Sequence, residues 1–160
     1  MDLKYEFYIA AKPEKVWDAL VSPEGTKSIY YGSVLESSFK TGSPYQYIGP
    51  GVEGDKTIHI YGKILEFEPN KILTLTNRVG QAYGEQHKNF ESRVSYILEP
   101  FGQNTKLTLI HDKWMQGDPS YENTKNGWPF MLSVIKTWVE TGKVLQMDEN
   151  LAHSDGSSKD

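Results

Sequence analysis

Apolar and polar residues alternate along most of this chain, and the period lengthens only in two stretches. In residues 3–10, Leu3, Tyr5, Phe7 and Ile9 fall on one face and Lys4 and Glu6 on the other, which is the two-residue period of a strand. The period returns in residues 72–79 with Leu73, Leu75 and Asn77. It returns again in residues 89–99 with Val94, Tyr96 and Leu98, and in residues 106–114 with Leu107, Leu109 and His111. Short strands are predicted at 33–38 and 45–48 and a long one at 57–68. Thr41-Gly42-Ser43-Pro44, Pro69-Asn70 and residues 100–104 supply the turns between them. Residues 50–55 read as a loop and residues 80–88 as a polar, mobile connection.

The helical period appears first after the opening strand. Pro13 suits the first turn of a helix, where its missing N–H costs nothing, and Val16, Trp17, Ala19 and Leu20 make the apolar stripe. Ser22-Pro23-Glu24 repeats the start signal, with Ser22 as the cap. Near the end, Trp128, Met131, Leu132, Ile135, Trp138 and Val139 recur at helical spacing. A shorter helical stretch is expected at 121–126, because Pro129 starts or kinks a helix rather than sitting freely inside one.

Strands in sequence joined by short turns predict an antiparallel meander. One helix must then cover its apolar face. The expectation is an α+β two-layer sandwich: a curved sheet of about six to seven strands over a long C-terminal helix, with two short helices after the first strand. Residues 1–148 are expected to form one domain. Residues 149–160 have nothing to bury and are expected to be a disordered tail.

Composition narrows the classes. The 160 residues contain no cysteine, which excludes disulfides and cysteine metal sites and fits a reducing compartment. The net charge of −4 does not offer the basic footprint of a nucleic-acid binder. The N-terminus has no apolar leader, and no apolar run approaches a membrane span, so a cytoplasmic location is expected. Aromatics are 12% of the chain, ten of them Tyr. Tyrosines suit half-wet pockets, although strands also favour aromatics.

Four segments carry a family resemblance. They are residues 11–20, Ser22-Pro23-Glu24, residues 62–73, and residues 126–142 around Asn126-Gly127-Trp128-Pro129-Phe130. In combination they resemble the START-like (SRPBCC) superfamily, and within it the proteins related to the activator of Hsp90 ATPase. The resemblance covers residues 1 to about 146. It implies a helix-grip fold and, in many members, a cavity between sheet and helix for a lipophilic molecule. It also implies varied uses: lipid carriers, hormone receptors, polyketide cyclases and chaperone partners. Where the second-helix region often carries a Trp, this chain has Ile29-Tyr30-Tyr31.

No nucleophile elbow, phosphate-binding loop or dinucleotide fingerprint is present in the sequence. The four histidines, His59, His87, His111 and His153, lack ligand spacing, and the plainer reading of each is a locally satisfied side chain. No catalytic residue, metal site or cofactor is expected. The candidate cavity wall is Tyr45, Tyr47, Leu73, Leu75, Asn77, Val94, Tyr96, Leu109, His111, Trp128, Met131, Leu132 and Ile135. Of these, Asn77, Tyr96 and His111 are the polar groups that alternation turns inward. The expected partner is a small hydrophobic molecule, aromatic or acyl. A cyclase using the same cavity is the second reading. A partnership with an Hsp90-type chaperone is the third, weakened because the chain opens directly on its first strand.

Overall fold

The computed structural model describes residues 1–147. The tail expected at 149–160, with His153, lies outside the described residues. The chain runs β1 (Leu3–Ile9), α1 (Pro13–Val21), α2 (Pro23–Ile29), β2 (Val34–Ser37), β3 (Pro44–Pro50) and β4 (Lys56–Glu68). It continues through β5 (Ile72–Val79), β6 (Ser92–Phe101), β7 (Asn104–Asp112) and α3 (Tyr121–Thr141). The strands form one antiparallel sheet in the order β1-β7-β6-β5-β4-β3-β2. Strands β2 to β7 are the predicted meander, and β1 closes onto β7 with Leu3 opposite His111 and Ile9 opposite Thr105. Register shifts between Tyr47 and Ile48 and between Ile64 and Glu66 bend the middle strands. The result is the helix-grip sandwich that the sequence pattern predicts.

The core fills one end of the space between sheet and helices. Ile9, Ile64, Leu73, Leu107, Leu109 and Ile135 are fully buried there. The stripe of α1 enters the same core through Val16, Trp17, Ala19 and Leu20. Ser22 caps α2 by accepting from the Gly25 N–H at 3.0 Å. Two polar side chains of α3 tie it to the free side of β1. Lys136 Nζ donates to the Tyr8 carbonyl at 2.7 Å, and Glu140 Oε2 accepts from the Ala10 N–H at 2.7 Å.

Three local expectations change. Residues 121–141 form one continuous helix with Pro129 inside it. Proline leaves the carbonyl four residues back, that of Lys125, without its helical donor. The Tyr5 hydroxyl donates to that carbonyl at 3.3 Å, so β1 supplies part of what the helix lacks. Strand β6 runs through Pro100 to Phe101, which shortens the predicted turn to Gly102-Gln103, with Gly102 at φ 63. Residues 80–88, expected to be mobile, fold into two 3₁₀ turns, Gln81–Tyr83 and Glu85–His87.

The corner between α1 and α2 depends on a glycine. A Cβ on Gly25 would lie 2.5 Å from the Ala19 Cα and 2.6 Å from its carbonyl oxygen. Alanine is the better helix former, but here it would push against backbone that cannot yield. Gly25→Ala is therefore expected to destabilise the protein by about 2 kcal/mol, in the range of overpacked cores. Urea denaturation reads it, and a neutral or stabilising result would show that the two helices can part freely.

Candidate functional site

A cavity of about 410 Å³ lies between the concave face of the sheet and the first half of α3. Of the thirteen expected wall residues, eight line it: Tyr47, Leu75, Asn77, Val94, Tyr96, His111, Trp128 and Met131. Tyr45, Leu73, Leu109, Leu132 and Ile135 are not on its wall. They belong to the buried hydrophobic core. The reason for Tyr45 is specific. Its hydroxyl donates to the Thr76 carbonyl at 2.6 Å, and Gly62, opposite it on β4, presents no side chain. The hydroxyl is spent within the sheet.

His111 is the best-held polar group on the wall. The Trp128 indole N–H donates to His111 Nδ1 at 3.0 Å. Nδ1 is therefore the bare nitrogen, and Nε2–H donates to Ser92 Oγ at 2.7 Å. Trp114 stacks on the imidazole with ring centroids 4.0 Å apart, and its own indole N–H donates to the His111 carbonyl at 3.0 Å. Burial lowers the His111 pKa to about 3, and the neighbouring Asp112 carboxylate opposes this only in part. That carboxylate is turned to the Arg93 guanidinium, which grips it at 2.9 and 2.7 Å. The arrangement keeps His111 a neutral strut.

Deeper in the cavity three tyrosines meet. The Tyr30 and Tyr96 hydroxyls share a hydrogen bond at 2.8 Å. The ring of Tyr47 stands edge-on to Tyr30 at 5.3 Å and to Tyr45 at 5.8 Å. Burial pushes the pKa of Tyr30, Tyr47 and Tyr96 well above the ordinary phenol value. All three are neutral donors at any physiological pH. Among the described residues no Asp, Glu, Lys or Arg lines the cavity.

The mouth is built from residues outside the expected cavity wall: Tyr31, Pro50, His59 and Tyr83. His59 Nδ1 is bonded to the Tyr83 hydroxyl, and Nε2 donates to the Pro50 carbonyl at 3.0 Å. This joins the 80–88 connection to β4 and to the end of β3. Ser33, Ile60, Val79 and Thr124 complete the lining. His59 and His111 both reach the cavity, but His111 has both nitrogens occupied. Among the described residues no three His, Cys, Asp or Glu side chains cluster as a metal would require.

Residues 10–140 match the family described as Activator of Hsp90 ATPase homolog 1-like protein. No protein of curated function matches the chain. Among solved structures, the Aha1 dimer from Colwellia psychrerythraea is similar at 21% identity and a TM-score of 0.64, over 89% of this chain and 98% of that one. CalU16 from Micromonospora echinospora is similar at 17% identity and a TM-score of 0.66, over 98% and 84%. DynU16, a protein in the dynemicin biosynthetic locus, is similar at 21% identity and a TM-score of 0.70, over 92% of this chain and 50% of that one. At these identities the structural likeness shows the fold.

The state of His111 predicts a pH dependence. An unfolded histidine takes up its proton near pH 6.5. The folded one does so only near pH 3. Between these values the unfolded state binds more protons, so stability falls as pH falls, by at most about 1.4 kcal/mol per pH unit. The lowered carboxylates of Asp112 and Glu140 add their losses only at lower pH. Urea denaturation from pH 7 to pH 5 should show the decline. His111→Gln, which keeps an acceptor for Trp128 but cannot titrate, should flatten it. An equal slope in both proteins would assign the dependence elsewhere.

Proposed function

The chain belongs to the Activator of Hsp90 ATPase homolog 1-like family, and from that premise we propose that it binds a small lipophilic molecule, aromatic or acyl, in the cavity beneath Trp128 and Met131. The observation that carries this reading is the uncharged cavity itself. Its volume of about 410 Å³ falls within the range of small-molecule sites, and its wall combines apolar and aromatic side chains with a few fixed polar groups. Residues 1–148 are proposed as the binding unit. The presence of DynU16, a protein of a biosynthetic locus, among the fold relatives fits a small-molecule cavity.

A cyclase in the same cavity would need a group able to take a proton from its substrate. His111 does not serve, because Nδ1 already accepts from Trp128 and burial holds the ring neutral. A carrier or sensor is the better fit to this wall. The family name and the Aha1 relative favour a chaperone partner as the second reading. A ligand-dependent contact with an Hsp90-type protein would join the two. Among the described residues no helix is long and apolar enough to cross a membrane. The cysteine-free composition is the support for a cytoplasmic site of action.

A chemical-shift screen of aromatic and acyl compounds tests the proposal. Binding should move the signals of Val94, Tyr96 and Trp128. Met131→Trp places an indole in the cavity and should abolish these shifts, and its Tm should stay within a few degrees of the native value. Shifts at outward residues such as Ile58 and Leu65, or shifts unaffected by Met131→Trp, would overturn it.

A further inference from the structure

We infer that the ligand of this cavity is uncharged and carries a hydrogen-bond-accepting oxygen of the ketone or quinone kind, selected by the hydroxyls of Tyr30, Tyr47 and Tyr96. The inference rests on the binding role proposed above and specifies its chemistry. Its basis is a count of protons. Each of the three phenols carries one, and the single hydrogen bond between Tyr30 and Tyr96 uses one of them. The Tyr47 hydroxyl is shielded from solvent and makes no hydrogen bond of good geometry; its polar neighbour is the Tyr96 hydroxyl, already bonded to Tyr30. One donor is left over if Tyr47 turns to Tyr96, and two if it does not, in a cavity walled mostly by apolar and aromatic side chains.

Two neighbouring acceptors are already taken. His111 Nδ1, a neutral acceptor on the wall, already accepts from Trp128. The Thr76 carbonyl already accepts from Tyr45. A buried donor left unmatched is costly, and natural interiors seldom keep one without a use for it. A carbonyl oxygen has two lone pairs and answers two donors at once. A hydrocarbon answers neither. A carboxylate would answer both but would bring a charge to a wall without Lys or Arg, where burying it unpaired is prohibitive. The rings of Tyr30, Tyr47, Tyr96 and Trp128 suit a flat, unsaturated body around that oxygen.

Fluorene, 9-fluorenone and fluorene-9-carboxylate share one tricyclic skeleton and separate these cases. Dissociation constants come from chemical-shift titration of the full chain. Fluorenone is expected to bind about five-fold or more tighter than fluorene, the scale of a neutral hydrogen bond, and the carboxylate weakest. In the triple variant Tyr30→Phe, Tyr47→Phe, Tyr96→Phe, fluorene affinity should be unchanged and the preference for fluorenone should fall towards one. Tyr47→Phe alone removes a hydroxyl that makes no well-formed hydrogen bond, so its Tm should stay close to or exceed that of the native protein, which guards against a folding artefact. Equal binding of fluorene and fluorenone, as ordered water on the phenols would produce, overturns the inference. So does a preference that survives all three replacements. If none of the three probes enters the cavity, the binding role itself fails and this inference falls with it.

Discussion

The indole of Trp128 donates to a histidine that faces the interior from β7, and that histidine donates in turn to Ser92 on β6. This short relay joins the start of α3 to the sheet through rings rather than through close aliphatic contact. Farther along the helix, Leu132, Ile135 and Val139 descend into the core. The helix is thus seated tightly at one end and propped on an aromatic strut at the other. The cavity is the space under the propped end. Its existence depends on His111 staying neutral, because a protonated ring would turn two donors, indole and imidazolium, against each other.

The fold was largely legible in the chain because a strand shows its two faces at every second residue. Leu107, Leu109 and His111 share the concave face as alternation requires. Ser22 and Pro13 mark helix starts with side-chain chemistry that needs no tertiary context. Where the reading departed from the structure, a distant residue had overruled a local rule. Pro129 signals a break, yet Tyr5, far away in sequence, supplies a donor to the carbonyl that proline leaves without one. Propensity along a helix cannot register a hydroxyl arriving from another strand.

The site was legible only by face. Alternation tells which side of the sheet a residue occupies, but not how far along the strand the helix begins to lift away. Leu73 and Leu75 share one face of β5, and only Leu75 reaches the cavity. The same limit separates Leu109 from His111. The mouth was beyond reach for another reason. Tyr31, Pro50 and Tyr83 lie on connections whose course is set by tertiary bonds, above all those of His59. The signal nearest to them was the departure at Ile29-Tyr30-Tyr31. It marks the one place where an unusual aromatic pair enters the cavity from outside the sheet.

Lys136 and Glu140 do more than fasten α3. An open sheet ends in two rows of unpaired backbone groups, each an invitation to a strand from another molecule. On β1 the Tyr8 carbonyl and the Ala10 N–H are already claimed, and the claimants carry opposite charges across the edge. A second chain seeking to extend the sheet past Tyr8 would have to displace the Lys136–Glu140 salt bridge. The opposite edge, β2, is four residues long and offers little to zip against. The protein thereby holds a wide, curved sheet in solution with both of its margins made unattractive to copies of itself.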